Sequence, residues 1–210
     1  MMGQVFALAN RPCFLLASVL LLFFSAQASG EEVVVDFEQV PIRLDPNDDE
    51  KINRLETYEE KGVQFKLARQ PEKTKARGRI MFFPHISSGH KGILNAMANE
   101  QEIPVQVRFP EDVNAVTIRF WASTGTSALL EAFDDNDKSV AKDELPVVPG
   151  RTKPEDPIPM FELTVKADRL AYVEFSGPRT GEFLAADEIR FTKAATPTTN
   201  SVDAESEVGE

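Results

Sequence analysis

The chain has 210 residues, and its 34 Asp and Glu residues outnumber its 23 Lys and Arg residues, giving a net charge of −11. Such a surface repels the phosphates of nucleic acids and of anionic membranes, so we exclude nucleic-acid partners. The single cysteine, Cys13, lies in a segment that we expect to be removed, which excludes thiolate metal sites and thiol nucleophiles from the mature chain.

The first 28 residues have the three parts of a secretory signal peptide. Arg11 and the amino terminus supply positive charge, residues 13–24 form an apolar run, and residues 26–28 read Ala-Gln-Ala, a small-residue cleavage site. A membrane anchor is the alternative, but the apolar run is shorter than the roughly 20 residues that cross a bilayer. The sequence therefore predicts a signal peptide at residues 1–28, no membrane insertion after its removal, and a secreted product, extracellular or periplasmic.

Residues 29–193 read as one domain built from short strands. Apolar side chains alternate with polar ones at Val116, Ile118 and Phe120, which is the pattern of a strand with one buried face. The same alternation marks four further segments: residues 63–67, 105–109, 161–165 and 171–175. Glycine, proline, asparagine and aspartate cluster between such runs. The pattern predicts an all-β, antiparallel β-sandwich of jelly-roll type with about eight to ten strands.

One segment of this domain has a different pattern. Residues 49–62, DEKINRLETYEEKG, place Ile52, Leu55 and Tyr58 on one face of a helix that Gly62 would end. The segment is short and highly charged, so a charged loop is the alternative to a helix.

Residues 194–210 are rich in Ser, Thr, Ala and acidic side chains, and their only large apolar residues are two valines. Such a composition cannot build a core, so the sequence predicts a disordered acidic tail. The segment also contains no hydrophobic stretch of the kind that sorting or lipid-anchoring signals need.

Several short motifs, taken in chain order, resemble a known group of proteins. They are VDFE at residues 35–38, Tyr-x-x-x-Gly-Val-x-Phe at residues 58–65, LLEAFDDNDKS at residues 129–139, LAYVEFSGP at residues 170–178 and DEIRF at residues 187–191. In these motifs the chain resembles bacterial secreted β-sandwich proteins of the kind found among exosortase-sorted exoproteins, which are similar to galactose-binding-like and carbohydrate-binding jelly rolls. It differs from the exosortase-sorted members in lacking their carboxyl-terminal sorting helix. The resemblance implies a jelly-roll fold, an extracellular setting and the binding of glycan or calcium, and it adds no catalytic residue.

Carboxylates of the first and last strands are the candidate metal ligands. Calcium takes about six to eight oxygen ligands, and jelly rolls of the resembled kind place such a site where these two strands meet. Asp36 and Glu38 come from the first strand, and Asp187 comes from the last. Strand parity puts Asp187 on the core-facing side with Ile189 and Phe191, where an unpaired carboxylate is costly. The alternative is a carboxylate that backbone amides or an arginine satisfy at the sheet edge.

Two polar loops are weaker candidates. Residues 134–144 alternate acidic side chains but lack the glycine and the final glutamate of a helix-flanked calcium loop, so they predict an acidic hairpin turn. His85 and His90 lie in a loop without a third zinc ligand and without an acid that could orient a Ser-His pair. We therefore predict that both histidines are exposed loop residues.

Trp121 is the candidate ligand-binding residue. Alternation places it on the polar face of its strand together with Arg119 and Thr117. Proteins bind sugars with an aromatic plane beside hydrogen-bonding groups, because a sugar ring has an apolar patch of C–H groups and a rim of hydroxyls. The alternative is that a loop covers Trp121, or that both faces of the sheet are buried there.

These features together predict a secreted, non-catalytic module that binds carbohydrate or other extracellular matrix material, with calcium as the candidate cofactor. Two other functions stay open: a structural module of the cell envelope or a surface layer that has no small-molecule ligand, and an enzyme on a sandwich scaffold. The enzyme has the least support, because the mature chain contains no Gly-rich phosphate loop, activated nucleophile or metal triad.

Overall fold

The structure is a computed structural model of the chain. It describes residues 30–40, 54–72, 78–85, 88–95, 103–177 and 184–194. The predicted signal peptide, residues 1–28, lies outside these described residues, and so does the predicted tail apart from Ala194.

Within the described residues the chain forms eleven strands and no helix. The strands are β1 (Glu32–Val35), β2 (Arg54–Leu55), β3 (Thr57–Glu60), β4 (Val63–Leu67), β5 (Ile80–Pro84), β6 (Lys91–Asn95), β7 (Val105–Ala122), β8 (Ala128–Phe133), β9 (Ser139–Leu145), β10 (Phe161–Ser176) and β11 (Leu184–Lys193). All of their pairings are antiparallel, which confirms the predicted class of fold. A search of this part of the chain finds no helix long and apolar enough to cross a membrane.

The two long strands, β7 and β10, organise the sheet. They pair along most of their length, but their register shifts twice. Between Lys166 and Leu170 the extra residues are on β10, and between Leu170 and Tyr172, opposite Val113 and Arg108, they are on β7. Extra residues of this kind bend a pair of strands. Before the bend β7 pairs with β4, and after it β7 pairs with β11. The strand pair therefore passes from one layer of the fold into the other.

The bend divides the sheet into two half-sheets. The first half-sheet contains β3, β4, β8 and β9 with the start of β7 and the end of β10. The second half-sheet contains β1, β2, β5, β6 and β11 with the end of β7 and the start of β10. Strands β1 and β11, the first and the last of the described chain, are neighbours, as the resemblance to jelly rolls leads us to expect.

The two half-sheets enclose one apolar core, in which buried side chains from both halves form a single cluster. Phe37, which follows β1, packs against Phe65 of β4 with a ring-centroid distance of 5.3 Å and against Phe82 of β5 at 5.6 Å. Near the bend, Phe109 of β7 packs against Phe191 of β11 at 5.0 Å. Two sheet faces packed on one core define a sandwich, so the predicted β-sandwich is confirmed.

β3 and β4 form a hairpin in a segment for which the sequence suggested a helix. Lys61 and Gly62 form its two-residue turn, with φ angles of 52° and 78°. Two successive residues with positive φ make the type I′ turn, whose twist matches that of the flanking strands. The helix predicted for residues 49–62 is wrong over the described part of this segment, because Tyr58 is a strand residue whose ring packs on Phe82 at 4.9 Å.

The acidic segment after β8 forms a hairpin turn, as its sequence predicts. The Asp134 carboxylate accepts the backbone N–H groups of Asn136 at 2.8 Å and Lys138 at 3.0 Å. Asp137 has a φ of 58°, in the left-handed region that aspartate tolerates in turns. The turn joins β8 to β9, and the open end of this hairpin builds the pocket described below.

Candidate ligand site

Trp121 lies on the outer face of the second half-sheet, away from the main core. It belongs to a separate apolar cluster with Leu94 and Ala185, against which Ile158 and Met160 pack. The predicted face is therefore correct. The expected open platform is wrong, because the segment before β10 covers the indole ring and leaves Trp121 only 4% exposed.

Close neighbours fix the orientation of the indole ring. A Cβ atom on Gly92 of β6 would lie 2.2 Å from Cη2 of Trp121, so no larger residue fits at this position without a shift. The ring of His85 meets the indole ring edge to face, with centroids 5.0 Å apart. The Trp121 ring is therefore held in one place before any ligand arrives.

His85 is buried, whereas the sequence predicted an exposed loop residue; the prediction is correct only for His90. The Nδ1 atom of His85 accepts the backbone N–H of Ser88 at 3.1 Å and lies 2.8 Å from the Ser88 hydroxyl. The ring proton is therefore on Nε2. Burial lowers the pKa of His85, while the backbone carbonyl of Ile158 acts in the opposite direction. A neutral imidazole suits its place against the indole ring.

A pocket of about 260 Å³ opens beside Trp121. Most of its wall is apolar and comes from Phe83, Trp121, Pro149, Ile158 and Pro159. Its polar groups come from three exposed residues: Ser123, Thr124 and Arg151. The pocket thus places an apolar surface beside hydrogen-bonding groups.

Two loops supply the polar part of the pocket, and backbone hydrogen bonds join them. In the loop after β7, Gly125 has a φ of 79° and the Thr126 N–H donates to the Ser123 carbonyl at 3.2 Å. In the loop after β9, Val148 accepts the Gly125 N–H at 2.9 Å and donates its own N–H to the Thr126 carbonyl at 2.7 Å. Both loops are therefore ordered by their own backbone.

Gly150 and a tight turn place Arg151 at the pocket. A Cβ atom on Gly150 would lie 2.7 Å from Cγ2 of Thr124, so the absence of a side chain lets the two loops touch. The Arg151 Nη1 donates to the carbonyl of Pro154 at 2.7 Å and to that of Asp156 at 3.3 Å. These bonds hold one nitrogen of the guanidinium group against its own loop.

These two loops are not among the sites predicted from the sequence, although the sequence contains a signal for them. Ala128 at the start of β8 pairs with Leu145 at the end of β9, so the loop before β8 must meet the loop after β9. An acidic hairpin turn between the two strands is predicted from sequence, and its geometry implies that the open ends converge. The sequence of either loop alone does not show that the other loop lies beside it.

Asp187 lies in a bulge of β11. Ala186 is opposite Phe120 and Glu188 is opposite Arg119, so β11 has one residue more than β7 at this point. A one-residue shift moves every following side chain to the other face. Asp187 is buried, as an inward-facing residue should be, but the bulge removes it from the simple alternation with Ile189 and Phe191 and keeps Ala186 in the core cluster. The charges of Arg119 and His90 act on its carboxyl group.

The carboxyl group of Asp187 is buried among these charges. It is 3% exposed, and its Oδ1 has no hydrogen-bond partner among the described residues. Burial raises the pKa of Asp187 to about 6. The positive charges of Arg119 and His90 oppose this rise, and the carboxylates of Glu188 and Glu38 add to it.

The two acidic residues after β1 have different roles. Glu38 joins the charged cluster, because its Oε1 lies 3.2 Å from Nδ1 of His90 and accepts the backbone N–H of Lys91 at 3.3 Å. Asp36 holds the turn instead, since its carboxylate accepts the Glu38 N–H at 3.2 Å. Glu38 therefore belongs to the same charged cluster as Asp187, whereas Asp36 stabilises only its own turn.

The described residues around Asp187 do not by themselves fit a calcium ion. Over the described ranges, no group of three His, Cys, Asp or Glu side chains could hold a metal. Calcium takes about six to eight oxygens, and the cation Arg119 competes for the same carboxylates. Calcium held by Asp36, Glu38 and Asp187 stays a prediction of the sequence, without support from this geometry.

Comparison with known proteins adds distant structural similarity only. No family model and no curated protein matches the chain. The fold is similar to CsCBM6-3 from Clostridium stercorarium, solved in complex with cellobiose, at 10% identity and a TM-score of 0.33 over 60% of this chain and 92% of that one. It is also similar to a cleaved adhesin domain of Lys-gingipain from Porphyromonas gingivalis, at 12% identity and a TM-score of 0.34 over 79% of this chain and 100% of that one. At this distance neither similarity transfers a ligand or a site.

Proposed function

We propose that the protein is a secreted, non-catalytic module that binds carbohydrate in the pocket beside Trp121. Secretion rests on the pattern of residues 1–28. The observation that carries the binding proposal is the composition of the pocket, in which an aromatic and proline wall stands beside hydroxyl and guanidinium groups.

This composition matches the chemistry of a sugar ring. The C–H groups of a sugar present an apolar patch that packs on an aromatic or proline surface, and its hydroxyls need hydrogen-bond partners. Phe83, Pro149 and Pro159 offer most of the apolar surface, and the small exposed part of Trp121 lies beside them. Ser123 and Thr124 offer hydroxyls. At about 260 Å³ the pocket is slightly smaller than the roughly 300–1,000 Å³ that encloses a drug-sized molecule, so it suits a single sugar unit.

The same lining favours binding over catalysis. Hydrolysis of a glycosidic bond needs two carboxyl groups at a set separation on either side of the bond. Among the described residues, those that line the pocket include no carboxylate and no histidine. The polar groups present can orient a sugar, but none of them is a general acid or base at neutral pH.

Arg119, which the sequence analysis paired with Trp121, does not line this pocket in the described structure. It lies opposite Glu162 and Glu188 in the sheet and acts on Asp187 through its charge. The proposed site therefore keeps Trp121 and takes its polar contacts from Ser123, Thr124 and Arg151.

Trp121 is the only tryptophan of the chain, so its emission reports directly on the pocket. We would titrate the mature domain with a panel of mono- and oligosaccharides and follow both emission and the thermal unfolding midpoint. A sugar that occupies the pocket should change the emission with saturation and raise the midpoint, because it binds only the folded state.

A matched pair of variants separates the pocket from the rest of the surface. Thr124→Val removes a pocket hydroxyl at almost constant shape and should weaken sugar binding, whereas Thr57→Val makes the same change on exposed β3 and should leave it unaltered. Absence of any sugar-dependent change across the panel would contradict the proposal. Concentration-dependent assembly without sugar binding would support a structural module of the cell surface instead.

A further inference from the structure

We propose that the sugar bound beside Trp121 is acidic, and that Arg151 binds its carboxylate. This inference rests on the proposed function and specifies its ligand as a uronic acid. It starts from the fact that Arg151 is the one charged side chain among the described residues lining the pocket.

Arg151 has no salt-bridge partner among the described residues, unlike Arg169 and Arg190. Arg169 contacts Asp112 and Asp135, and Arg190 contacts two glutamates. The bonds that Arg151 makes go to two backbone carbonyls of its own loop, and both use the same nitrogen, Nη1. A guanidinium group has five N–H donors, so most of its donors are left for a ligand.

A carboxylate of the loop that carries Arg151 already has a backbone partner. Asp156 accepts the backbone N–H of Lys153 at 2.9 Å with its Oδ2, and its own N–H donates to the Lys153 carbonyl at 3.1 Å. Arg151 meets the backbone oxygen of Asp156 rather than its side chain. The turn thus fixes the arginine while leaving its charge unpaired by any carboxylate of the described chain.

An isolated guanidinium beside an apolar wall selects for a planar anion. Its parallel N–H groups match the two oxygens of a carboxylate, and such charge-assisted bonds are roughly twice as strong as neutral ones. A uronic acid offers this carboxylate on a ring whose C–H face can pack on Phe83 and Pro159. The protein as a whole has a net charge of −11, so attraction of an anion must come from this local cation.

The test compares sugars that differ only in the oxidation of C6: methyl galactoside with methyl galacturonoside, methyl glucoside with methyl glucuronoside, and methyl mannoside with methyl mannuronoside. We would measure the Kd of each by calorimetry at low salt. At least one uronic acid should bind roughly tenfold or more tightly than its neutral partner. Arg151→Gln should abolish that difference, because it weakens binding of the acid much more than binding of the neutral sugar.

Lys153→Gln provides the matched control, because it removes the same charge from the same loop at a side chain that does not line the pocket. It should preserve the preference for the acid. Equal affinity for acidic and neutral sugars in the unmodified protein would overturn the inference and leave the proposed function intact. Tighter binding of a 6-sulfated sugar than of the uronic acid would overturn the choice of a carboxylate as the anionic group. No binding of any sugar in the three pairs would count against the proposed function itself.

Discussion

At the scale of single residues, the indole ring of Trp121 determines which side chains its neighbours can have. Gly92 is the clearest case, because it has no positive φ that would require glycine and is needed only for space. The ring, the pocket wall and the buried His85 all depend on this contact.

We predict that Gly92→Ala destabilises the fold by about 1–3 kcal/mol, because its Cβ would lie 2.2 Å from Trp121 and the ring would have to move. Urea unfolding measures the loss, and a shifted Trp121 emission shows that the ring has moved. Gly89→Ala in the preceding loop is the control: its Cβ would meet nothing within 4 Å, so only its φ of 77° opposes alanine. An equal loss in both variants with unchanged emission would refute the packing argument.

Asp187 should make stability depend on pH. Its pKa is raised from 3.8 to about 6 in the folded protein, so the folded state holds a proton that the unfolded state has already released. The contribution of Asp187 to stability is therefore complete below about pH 4 and is lost as the pH rises through 6, by about 3 kcal/mol in total at 1.36 kcal/mol per pH unit. Asp187→Asn should remove this slope and be the more stable protein at pH 7, as urea unfolding at a series of pH values would show. Parallel pH profiles for the two proteins would contradict a buried, unsatisfied carboxylate.

Predictions of where single side chains lie are correct when they depend on the alternation within a strand. They fail when a segment that is distant in sequence covers the side chain. Alternation correctly puts Trp121 on the face opposite Phe120. It cannot show that Ile158 and Met160, far along the chain, cover that face. The burial of His85 is missed for a related reason, since its apolar neighbour is the covered indole ring.

At the scale of elements, turns and bulges decide the register of the strands. The turn between β3 and β4 requires positive φ at Lys61 and Gly62, and the first of these is already an unfavourable position for a side chain. The hairpin places Tyr58 and Phe65 in contact at 5.9 Å on the core side.

We predict that Gly62→Ala destabilises the protein by about 1 kcal/mol or more, because alanine is strained at a φ of 78°. Gly62→Asn should cost less, since asparagine tolerates this region. Urea unfolding of the two variants gives the comparison. Equal stability of the alanine variant and the unmodified protein would show that the turn is not of this type.

The junction of β1 and β11 is where calcium is predicted from sequence. Calcium that binds only the folded state must raise the unfolding midpoint over that in chelator, and Asp187→Asn must abolish the rise. Identical unfolding midpoints in calcium and in chelator would show that calcium does not bind here. Asp187, Glu38 and His90 would then be a charged cluster at the sheet edge without a metal.

The strands themselves follow largely from the alternation of the sequence. The segments 105–109 and 116–120 are both predicted as strands, as are 161–165 and 171–175, and all four lie in strands. They are not separate strands, however: the first two form β7 and the last two form β10. Polar residues at the bend interrupt the alternation while the pairing of β7 with β10 continues across it, and such long-range pairing leaves no local signal.

At the scale of the whole molecule, the sandwich acts as a rigid frame whose loops form the site. The second half-sheet supplies Trp121, and the open end of the β8 and β9 hairpin supplies the polar loops. The pocket therefore combines the two loops at the open end of this hairpin with a strand of the other layer. Binding by loops on a fixed scaffold is a common division of roles in all-β proteins.

The most direct test of this account follows the single indole N–H signal of Trp121 by two-dimensional NMR while sugar is added. We predict a saturable shift of that signal with a uronic acid, with the same Kd as calorimetry and with a weaker Kd in both Thr124→Val and Arg151→Gln. Binding by calorimetry without any movement of the indole signal would place the ligand elsewhere and contradict a sugar site beside Trp121.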